Sequence, residues 1–260
     1  MKIVVCVKET IDTAASLSLQ DGSVFWGDAS LIINPWDEFA VETALLLTEE
    51  HGGEVVALSA GGGEKNEALK HALAMGCKEA IQLSAPEDMQ EKTPVVPSML
   101  AAAVQKIGDV DLVFFGRQST DEETGLTPPQ TARLLNWPAL TQTAKVIAHD
   151  PQGQTIEVER LFENGRQQAK AALPAVVSVV KEICEPRYPS FMGIRKAARA
   201  IIPKWELSDL ELSSTVDSAW RSLRLDVPAS RTKKVEMISG ESAADIAGTL
   251  VKRLLEEKVL

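Results

Sequence analysis

Cysteine is scarce in this sequence. The 260 residues include three, Cys6, Cys77 and Cys184, and no two of them form a CxxC pair. This excludes the common cysteine spacings of zinc and iron–sulfur sites. It also suggests a reducing compartment, where proteins carry no structural disulfides, so Cys6 and Cys77 are most simply interpreted as small buried residues.

Long apolar runs are also lacking. No segment approaches the ~20 apolar residues that cross a bilayer. Met1 leads directly into a β-branched segment, with no signal peptide before it. We therefore expect a cytoplasmic protein that is not inserted in a membrane.

Basic residues are outnumbered by acidic ones. Lys and Arg total 27 against 37 Asp and Glu, which gives a net charge of -10 at pH 7. A nucleic-acid surface needs clustered Lys and Arg to neutralise phosphates, so we expect no nucleic-acid partner. The 45% hydrophobic and 25% charged residues are typical of an ordinary globular protein.

Recognisable catalytic groups are missing as well. The sequence has neither a Walker P-loop nor a GxGxxG motif, which argues against an enzyme that activates its substrate with ATP. The three histidines, His51, His71 and His149, have no nucleophile or carboxylate at a triad-like spacing, so we interpret them as solvated or capping residues. No catalytic residue and no metal ligand is assigned.

What the sequence does contain is an alternation of apolar and amphipathic segments. The strands are continuously rather than alternately apolar, as expected when both faces of a parallel sheet are covered. This pattern predicts an α/β fold with a doubly wound, mostly parallel sheet and helices on both faces. Predicted strands cover residues 2–8, 54–59, 80–84, 111–116 and 175–180, and predicted helices cover 35–51, 64–75, 97–107 and a segment that begins near 128.

After Trp137-Pro138 the pattern becomes alternating. Residues 144–150, 155–161 and 167–173 are predicted antiparallel strands. The Asn164-Gly165 pair between the last two is a strong hairpin signal. We expect an antiparallel hairpin extension of the sheet.

The last part of the chain has little pattern for a core of its own. A polar stretch that includes Trp205 and Trp220 leads to a predicted helix over residues 241–258. Segments of this kind usually wrap a partner. The predicted domains are therefore an α/β domain over residues 1–204 and a C-terminal arm with its helix over residues 205–260.

The best candidate site lies at the carboxyl ends of the predicted parallel strands, where open sheets bind ligands. Three loops leave such ends, at residues 8–12, 59–63 and 116–127, and Asn34-Pro35 begins a helix with Asn34 as its expected cap. The longest loop offers backbone N–H groups, hydroxyls and a following helix N-terminus, which are the groups that hold phosphate and ribose. A polar connecting loop without a ligand is the alternative, since Asp121-Glu122-Glu123 disfavours a bare phosphate.

Several stretches, in order along the chain, resemble the beta subunit of electron-transfer flavoproteins. The matching stretches are VCVKETID, INPWDEFAVETAL, ALAMGCKEA, GRQSTDEETGLTPPQTARLLNWP, VERLFENGRQQAKAALPAVVSVV and KEICEPRYPSFMGIRKA. Together they cover the chain up to about residue 205, and beyond that point only the general character matches.

The resemblance implies a heterodimer with an electron-transfer flavoprotein alpha subunit that holds most of the redox-active FAD, while this chain covers that flavin and binds AMP. Flavin dehydrogenases, typically of the acyl-CoA dehydrogenase type of fatty acid β-oxidation, would deliver electrons. A membrane-bound quinone oxidoreductase would accept them. This chain would be a carrier subunit without catalysis, and residues 205–260 would contact the alpha subunit.

Transferred position by position, the resemblance puts AMP at the same strand ends. The implied contacts are Cys6, Asn34, Pro35, Trp36, Asp37, Ala60, Gly116, Arg117, Gln118, Ser119, Thr120, Asp121, Glu122, Glu123, Thr124, Gly125, Leu126 and Thr127. Residues 183–200 resemble a recognition loop. In it, Phe191 would be the apolar anchor that docks into a partner dehydrogenase, flanked by Tyr188 and Met192.

Two alternatives stay open. The family's AMP pattern has Asn-Gln-Thr-Gly where this chain has Gly125-Leu126-Thr127-Pro128, and electron-bifurcating relatives hold a second FAD at this site and oxidise NADH. Because INPWDEFAVE resembles the AMP-type subunits more closely, AMP is the expectation. A stand-alone nucleotide-binding regulatory module is the second alternative, although it would not need residues 185–200 or the long C-terminal arm.

Overall fold

The computed structural model describes residues 1–20, 23–61, 66–84, 95–210, 226–227 and 235–259. The chain divides into two compact units, Met1–Arg224 and Leu225–Leu260. The end of the predicted loop at Gly62-Gly63, the predicted start of the second helix near residue 64 and the polar stretch around Trp220 lie outside the described residues.

A large sheet forms the centre of the first unit. The described strands are β1 (Lys2–Cys6), β2 (Glu9–Ile11), β3 (Ser18–Gln20), β4 (Ser23–Phe25), β5 (Leu31–Ile33), β6 (Glu54–Ala60), β7 (Glu79–Ser84), β8 (Leu112–Gly116), β9 (Ala139–Asp150), β10 (Thr155–Phe162), β11 (Gly165–Ala172), β12 (Ala175–Val179) and β13 (Lys204–Glu206). Nine of them form one sheet in the order β11-β10-β9-β12-β8-β1-β6-β7-β13. In this order, every neighbouring pair from β9 to β13 is parallel. β10 pairs antiparallel with both β9 and β11.

Helices cover both faces of the sheet. The described α-helices are α1 (Pro35–His51), α2 (Glu67–Met75), α3 (Val95–Ile107), α4 (Thr127–Leu135) and α5 (Phe191–Ala197) in the first unit, and α6 (Ala243–Glu256) in the second. Side chains of a strand point alternately to opposite faces. Ile3 and Val5 of β1 therefore enter the core with α1 and α2, whereas Val4 and Cys6 enter the core with α3 and α4. The predicted doubly wound α/β fold is confirmed.

The predicted antiparallel extension is also confirmed. β10 pairs with β9 on one side and β11 on the other, and a two-residue connection at Glu163-Asn164 joins β10 to β11. Gly165 begins β11 with a φ of 140°, a conformation that glycine adopts without strain. Ile156 and Val158 bury the inner face of β10 completely, which fixes the register because a one-residue slip would expose them.

Several short elements were not predicted from the sequence, among them β13 and α5. β13 pairs in parallel with the edge strand β7, so Trp205 belongs to the sheet, with the Lys106 ammonium 4.4 Å from its ring centroid. The predicted domain boundary at residue 204 thus coincides with the first residue of a strand. The segment expected to be an irregular loop contains the seven-residue helix α5, whose N-cap is Ser190. Both elements are too short to produce a periodic pattern.

In the second unit, the described residues are 226–227 and 235–259. The predicted helix is present as α6, and Ser242 caps it by accepting the N–H of Asp245. Arg253 of this helix pairs with Glu236 at 2.8 Å. Among the helices described in either unit, none is long and apolar enough to span a membrane.

Candidate functional site

The candidate site lies where the direction of strand addition reverses. From β1 the chain adds β6 and β7 on one side, then returns to add β8 on the other side of β1. The carboxyl ends of β1 and β8 are therefore neighbours, and Cys6 pairs with Phe115 there. Open parallel sheets bind their ligands outside such a reversal point.

Asp37 joins these two strand ends. Its Oδ2 accepts the N–H of Lys8 at 2.8 Å, just after β1, and its Oδ1 accepts the N–H of Gly116 at 3.2 Å, at the end of β8. The residue is 5% exposed, in the first turn of α1. One carboxylate thus fixes the N-terminus of α1 against both strands.

Burial raises the pKa of two side chains at this corner of the sheet, where the ends of β1 and β8 meet the start of α1. It raises the pKa of Asp37 to about 7, against the opposing effect of the N–H groups of Lys8 and Gly116. Burial, together with the nearby Asp37, also raises the pKa of the Cys6 thiol well above its usual value. Cys6 is therefore a neutral, inert packing residue at physiological pH, in agreement with its interpretation from the sequence.

Asn34 differs from its predicted role as a helix cap. Its side chain makes no capping hydrogen bond to α1. Instead, Nδ2 donates to the carbonyl of Gln118 at 2.9 Å, and Oδ1 accepts the N–H of Thr120 at 3.2 Å. The reason is tertiary: the loop after β8 lies over this buried side chain and offers it both a donor and an acceptor.

Gly116 permits the close approach of these segments. A Cβ on this residue would lie 2.5 Å from Oδ1 of Asp37 and 2.6 Å from the carbonyl carbon of Trp36. The Trp36 atom belongs to the backbone, and the Asp37 carboxylate is held by the N–H groups of Lys8 and Gly116. Glycine is therefore required where β8 passes the start of α1.

Lys8 is tied to the loop that follows β8. Its ammonium pairs with Asp121 at 2.9 Å and Glu122 at 3.1 Å. Burial favours a lower pKa for Lys8, but these two acids outweigh burial and raise it. For Asp121, hydrogen bonds from Ser119 and Lys8 outweigh burial and lower the pKa. The two acids thus offset the Lys8 charge that would otherwise attract a phosphate.

The remaining loop residues continue toward α4. The guanidinium of Arg117 lies 5.8 Å from the ring centroid of Trp36. Glu123 is exposed with a φ of 53°, and Gly125 has a φ of 61°. The structure therefore brings Cys6, Asn34 to Asp37 and Gly116 to Glu122 together, whereas Ala60 lies at the carboxyl end of β6, on the opposite side of β1 from β8.

Two polar side chains on the elements that follow Lys8 and the loop after β8 were not predicted as site residues. Gln130 lies in α4, directly after the loop, and Thr10 lies in β2, directly after Lys8. The Gln130 Oε1 and Thr10 Oγ1 atoms are buried, and within the described part of the chain neither has a hydrogen-bond partner. Unpaired buried oxygens are rare in folded proteins, but no sequence pattern distinguishes them from other polar residues.

The predicted docking residues lie on a separate surface. Tyr188, Phe191 and Met192 are 95%, 77% and 71% exposed. Phe191 and Met192 are the first two residues of α5. The Ser190 hydroxyl caps this helix by accepting the N–H of Gly193 at 3.0 Å. These apolar side chains contribute little to the core of this chain.

His51 lies in the last turn of α1, as expected, whereas His71 and His149 differ from the expectation of solvated or capping residues. His71 Nε2 lies 2.9 Å from Glu38 Oε1. The His149 ring lies 4.8 Å from that of His51, and in the part of the chain that the structure describes its buried nitrogens have no hydrogen-bond partner. Burial lowers the pKa of His149, and His51 lowers it further. The pair lines a cleft of about 470 Å³ that reaches the C-terminal end of α1, away from the candidate site. No group of three potential metal ligands occurs among the described residues.

Comparisons with known proteins agree on one family. The model of the electron transfer flavoprotein domain matches residues 27–210. The chain is 35% identical over 212 residues to the electron transfer flavoprotein subunit beta of Bacillus subtilis, covering 82% of this chain and 81% of that protein. It is 32% identical over 266 residues to subunit CarD of the caffeyl-CoA reductase-Etf complex of Acetobacterium woodii, covering 100% of both. It is also 32% identical over 254 residues to protein FixA of Azorhizobium caulinodans, covering 94% of this chain and 90% of that protein.

Proposed function

Because this chain belongs to the electron transfer flavoprotein family as a beta-type protein, we propose that it is one half of a heterodimer that carries electrons between flavin enzymes. Its partner is an alpha subunit that holds most of an FAD. Electrons enter from flavin dehydrogenases of the acyl-CoA type and leave to a membrane-bound quinone oxidoreductase. The chain performs no catalysis of its own.

AMP is the proposed resident nucleotide of this chain. The observation that carries this assignment is the junction at Asp37 and Asn34, which seats the loop after β8 at the reversal point of the sheet. The unpaired oxygens of Gln130 and Thr10, on the elements that follow the loop and Lys8, support a ligand with several hydrogen-bond donors. Cys6 and Ala60 would contribute backbone and close packing. AMP has no redox chemistry and stabilises the fold.

FAD supplies the electron-accepting chemistry when it is bound between the subunits. The contribution of this chain is to cover the flavin and to present a docking surface. Trp36 lies at the edge of the AMP corner, and its ring is only partly buried, with Arg117 over it. This exposure supports a position near the second nucleotide rather than in the core.

Co-expression with an electron-transfer flavoprotein alpha-subunit gene tests the proposal. The visible spectrum and the extracted nucleotides of the purified complex should give one FAD and one AMP per heterodimer. A colourless monomer that never pairs would refute the carrier function and favour a stand-alone nucleotide-binding regulatory module.

A second candidate is the electron-bifurcating type, with a second FAD in this chain and NADH as donor. The sequence Gly125-Leu126-Thr127-Pro128 keeps it open, because it departs from the family's AMP pattern and Pro128 has no N–H to donate to a phosphate. Two flavins per heterodimer, both reduced by NADH, would replace AMP by this alternative. A single flavin that NADH does not reduce would exclude it.

Docking of the donor dehydrogenase is assigned to Phe191, with Tyr188 and Met192 beside it. Large exposed apolar side chains at the centre of a surface dominate binding energy in many interfaces. We expect Phe191→Ala to slow flavin reduction by an acyl-CoA dehydrogenase while the flavin content stays unchanged. Phe25→Ala, which truncates an exposed phenylalanine on β4, is the matched control. Loss of flavin in Phe191→Ala would contradict a docking function.

A further inference from the structure

Arg187 holds the segment before α5 against α1. Its guanidinium donates from Nε and Nη2 to the two carboxylate oxygens of Glu42, at 2.7 and 2.9 Å. It also donates from Nη1 and Nη2 to the two oxygens of Glu49, at 2.6 and 3.1 Å. The backbone N–H of Arg187 adds a fifth hydrogen bond, to Glu42 at 3.1 Å. A single arginine therefore binds two carboxylates that lie two turns apart on α1.

The inner half of this contact is buried. The Glu42 side chain is 5% exposed, whereas that of Glu49 is 55% exposed. Removing two charges from water costs about as much as their attraction returns, so a buried pair of this kind contributes little net stability. What such a pair does provide is one defined geometry, because a carboxylate buried at this position needs its donors in place.

A second contact fixes α5 itself. A Cβ on Gly193 would overlap the backbone carbonyl oxygen of Ala74, near the end of α2. The backbone of α5 thus lies directly against α2, and the Ser190 cap closes its first turn. The segment from Arg187 to Ala197 is fastened to α1, to α2 and to itself.

The fastened segment nevertheless exposes its large apolar side chains. Ile194 is 53% exposed, in addition to the three predicted docking residues. The contacts of this segment with the rest of the chain include the Arg187 side chain, the backbone of Gly193 and the small, buried Ala197. An ordered surface of this kind binds a partner without first having to lose its conformational freedom.

We propose that Arg187 is a positioning residue for docking: its fork to Glu42 and Glu49 holds Tyr188, Phe191, Met192 and Ile194 ready to bind a flavin dehydrogenase. This inference rests on the proposed function for the identity of the partner. Arg187 itself does not need to touch the dehydrogenase or the flavin.

Hydrogen–deuterium exchange of the intact heterodimer tests the positioning itself. Arg187→Met keeps the aliphatic stem and removes all side-chain donors, so the amides of residues 188–197 should exchange faster. Glu49→Gln removes only the exposed carboxylate and should give a smaller acceleration. This second variant leaves the buried residues untouched, so it remains informative if Arg187→Met does not fold. Unchanged exchange in a folded Arg187→Met complex, or in Glu49→Gln if the first variant is unfolded, would refute the positioning role.

Steady-state reduction by an acyl-CoA dehydrogenase tests its purpose. Arg187→Met should raise the KM for the dehydrogenase about tenfold, which corresponds to re-ordering one or two long side chains on binding, with kcat and flavin content unchanged. Arg187→Lys keeps the charge but cannot form both forks, so it should resemble Arg187→Met. Wild-type behaviour of the lysine variant would show that charge alone suffices and would overturn the argument.

Lys78→Met is the control for a generic loss of an ion pair. It breaks the exposed contact between Lys78 and Glu54, which joins the segment before β7 to the start of β6, and it should leave KM unchanged.

Failure of the proposed function looks different from failure of this inference. If the dehydrogenase does not reduce the wild-type complex, the donor assignment is wrong, and the assignment of the held surface to a dehydrogenase falls with it. A rise in KM with no faster exchange would leave the docking surface in place and refute its positioning by Arg187.

Discussion

Asp37→Asn probes the buried carboxylate that joins β1 and β8. The change keeps the size and one acceptor oxygen of the side chain but removes its ability to ionise. In the wild type the two carboxylate oxygens accept from Lys8 and Gly116, and the residue is almost fully buried. The stability of the two proteins should therefore depend differently on pH.

The direction follows from the raised pKa of Asp37. In the folded protein this pKa is about 7, against 3.8 for an unperturbed aspartate side chain. Between these values the folded state keeps a proton that the unfolded state has lost, so the contribution of Asp37 to stability is largest at low pH and falls as pH rises toward 7. Above about pH 7 Asp37 is ionised in both the folded and the unfolded state, and its contribution to stability is fully lost. At about 1.4 kcal/mol per pH unit, the full difference is about 4 kcal/mol.

A thermal scan of both heterodimers at pH 5.5, 6.5, 7.5 and 8 measures this effect at pH values above the isoelectric point near 4.9. About 2 kcal/mol of the difference falls between pH 5.5 and 7, which corresponds to about 5 °C in Tm for a protein of this size. The Tm of Asp37→Asn should gain that much relative to the wild type as pH rises. Subtraction of the two curves cancels the titration of all other groups. A Tm difference that is constant over this range, or that moves against the variant, would show that the carboxylate is not held in the protonated form.

Two further predictions concern the same corner. Gly116→Ala should destabilise the complex by about 1–3 kcal/mol and release AMP, because its Cβ would overlap Asp37 and Trp36. The control is Gly248→Ala, which has open space around its Cβ and should be neutral or slightly stabilising. Equal Tm values for the two variants would refute the steric reasoning. Asn34→Ala leaves the Gln118 carbonyl and the Thr120 N–H without their partner. We therefore expect the free energy of unfolding to fall by about 1–3 kcal/mol and the AMP content, measured by chromatography of extracted nucleotides, to fall as well. An unchanged AMP content would show that Asn34 does not support the nucleotide site.

The sequence by itself predicted the fold class and the family. Strands such as β8 are continuously apolar because both faces are covered, and that signal lies in consecutive residues. The hairpin between β10 and β11 follows from two adjacent residues, Asn164 and Gly165. The start of α1 at Pro35 and its end before Gly52 follow in the same way from local backbone preferences. The resemblance to electron-transfer flavoproteins rests on the same contiguous stretches and agrees with the family match.

Only the tertiary structure decided what the polar side chains do. Asn34 has the right position for a helix cap, yet it binds a loop 84 residues further along the chain. Lys8 finds its acids 113 and 114 residues away, and Arg187 finds Glu42 across 145 residues. Backbone preferences are set by near neighbours, whereas a side chain bonds to whatever the folded sheet and helices bring within about 3 Å. For that reason the sequence predicted a nucleotide site at these strand ends and a docking segment around Phe191, and the fold determined which side chains hold the two segments in place.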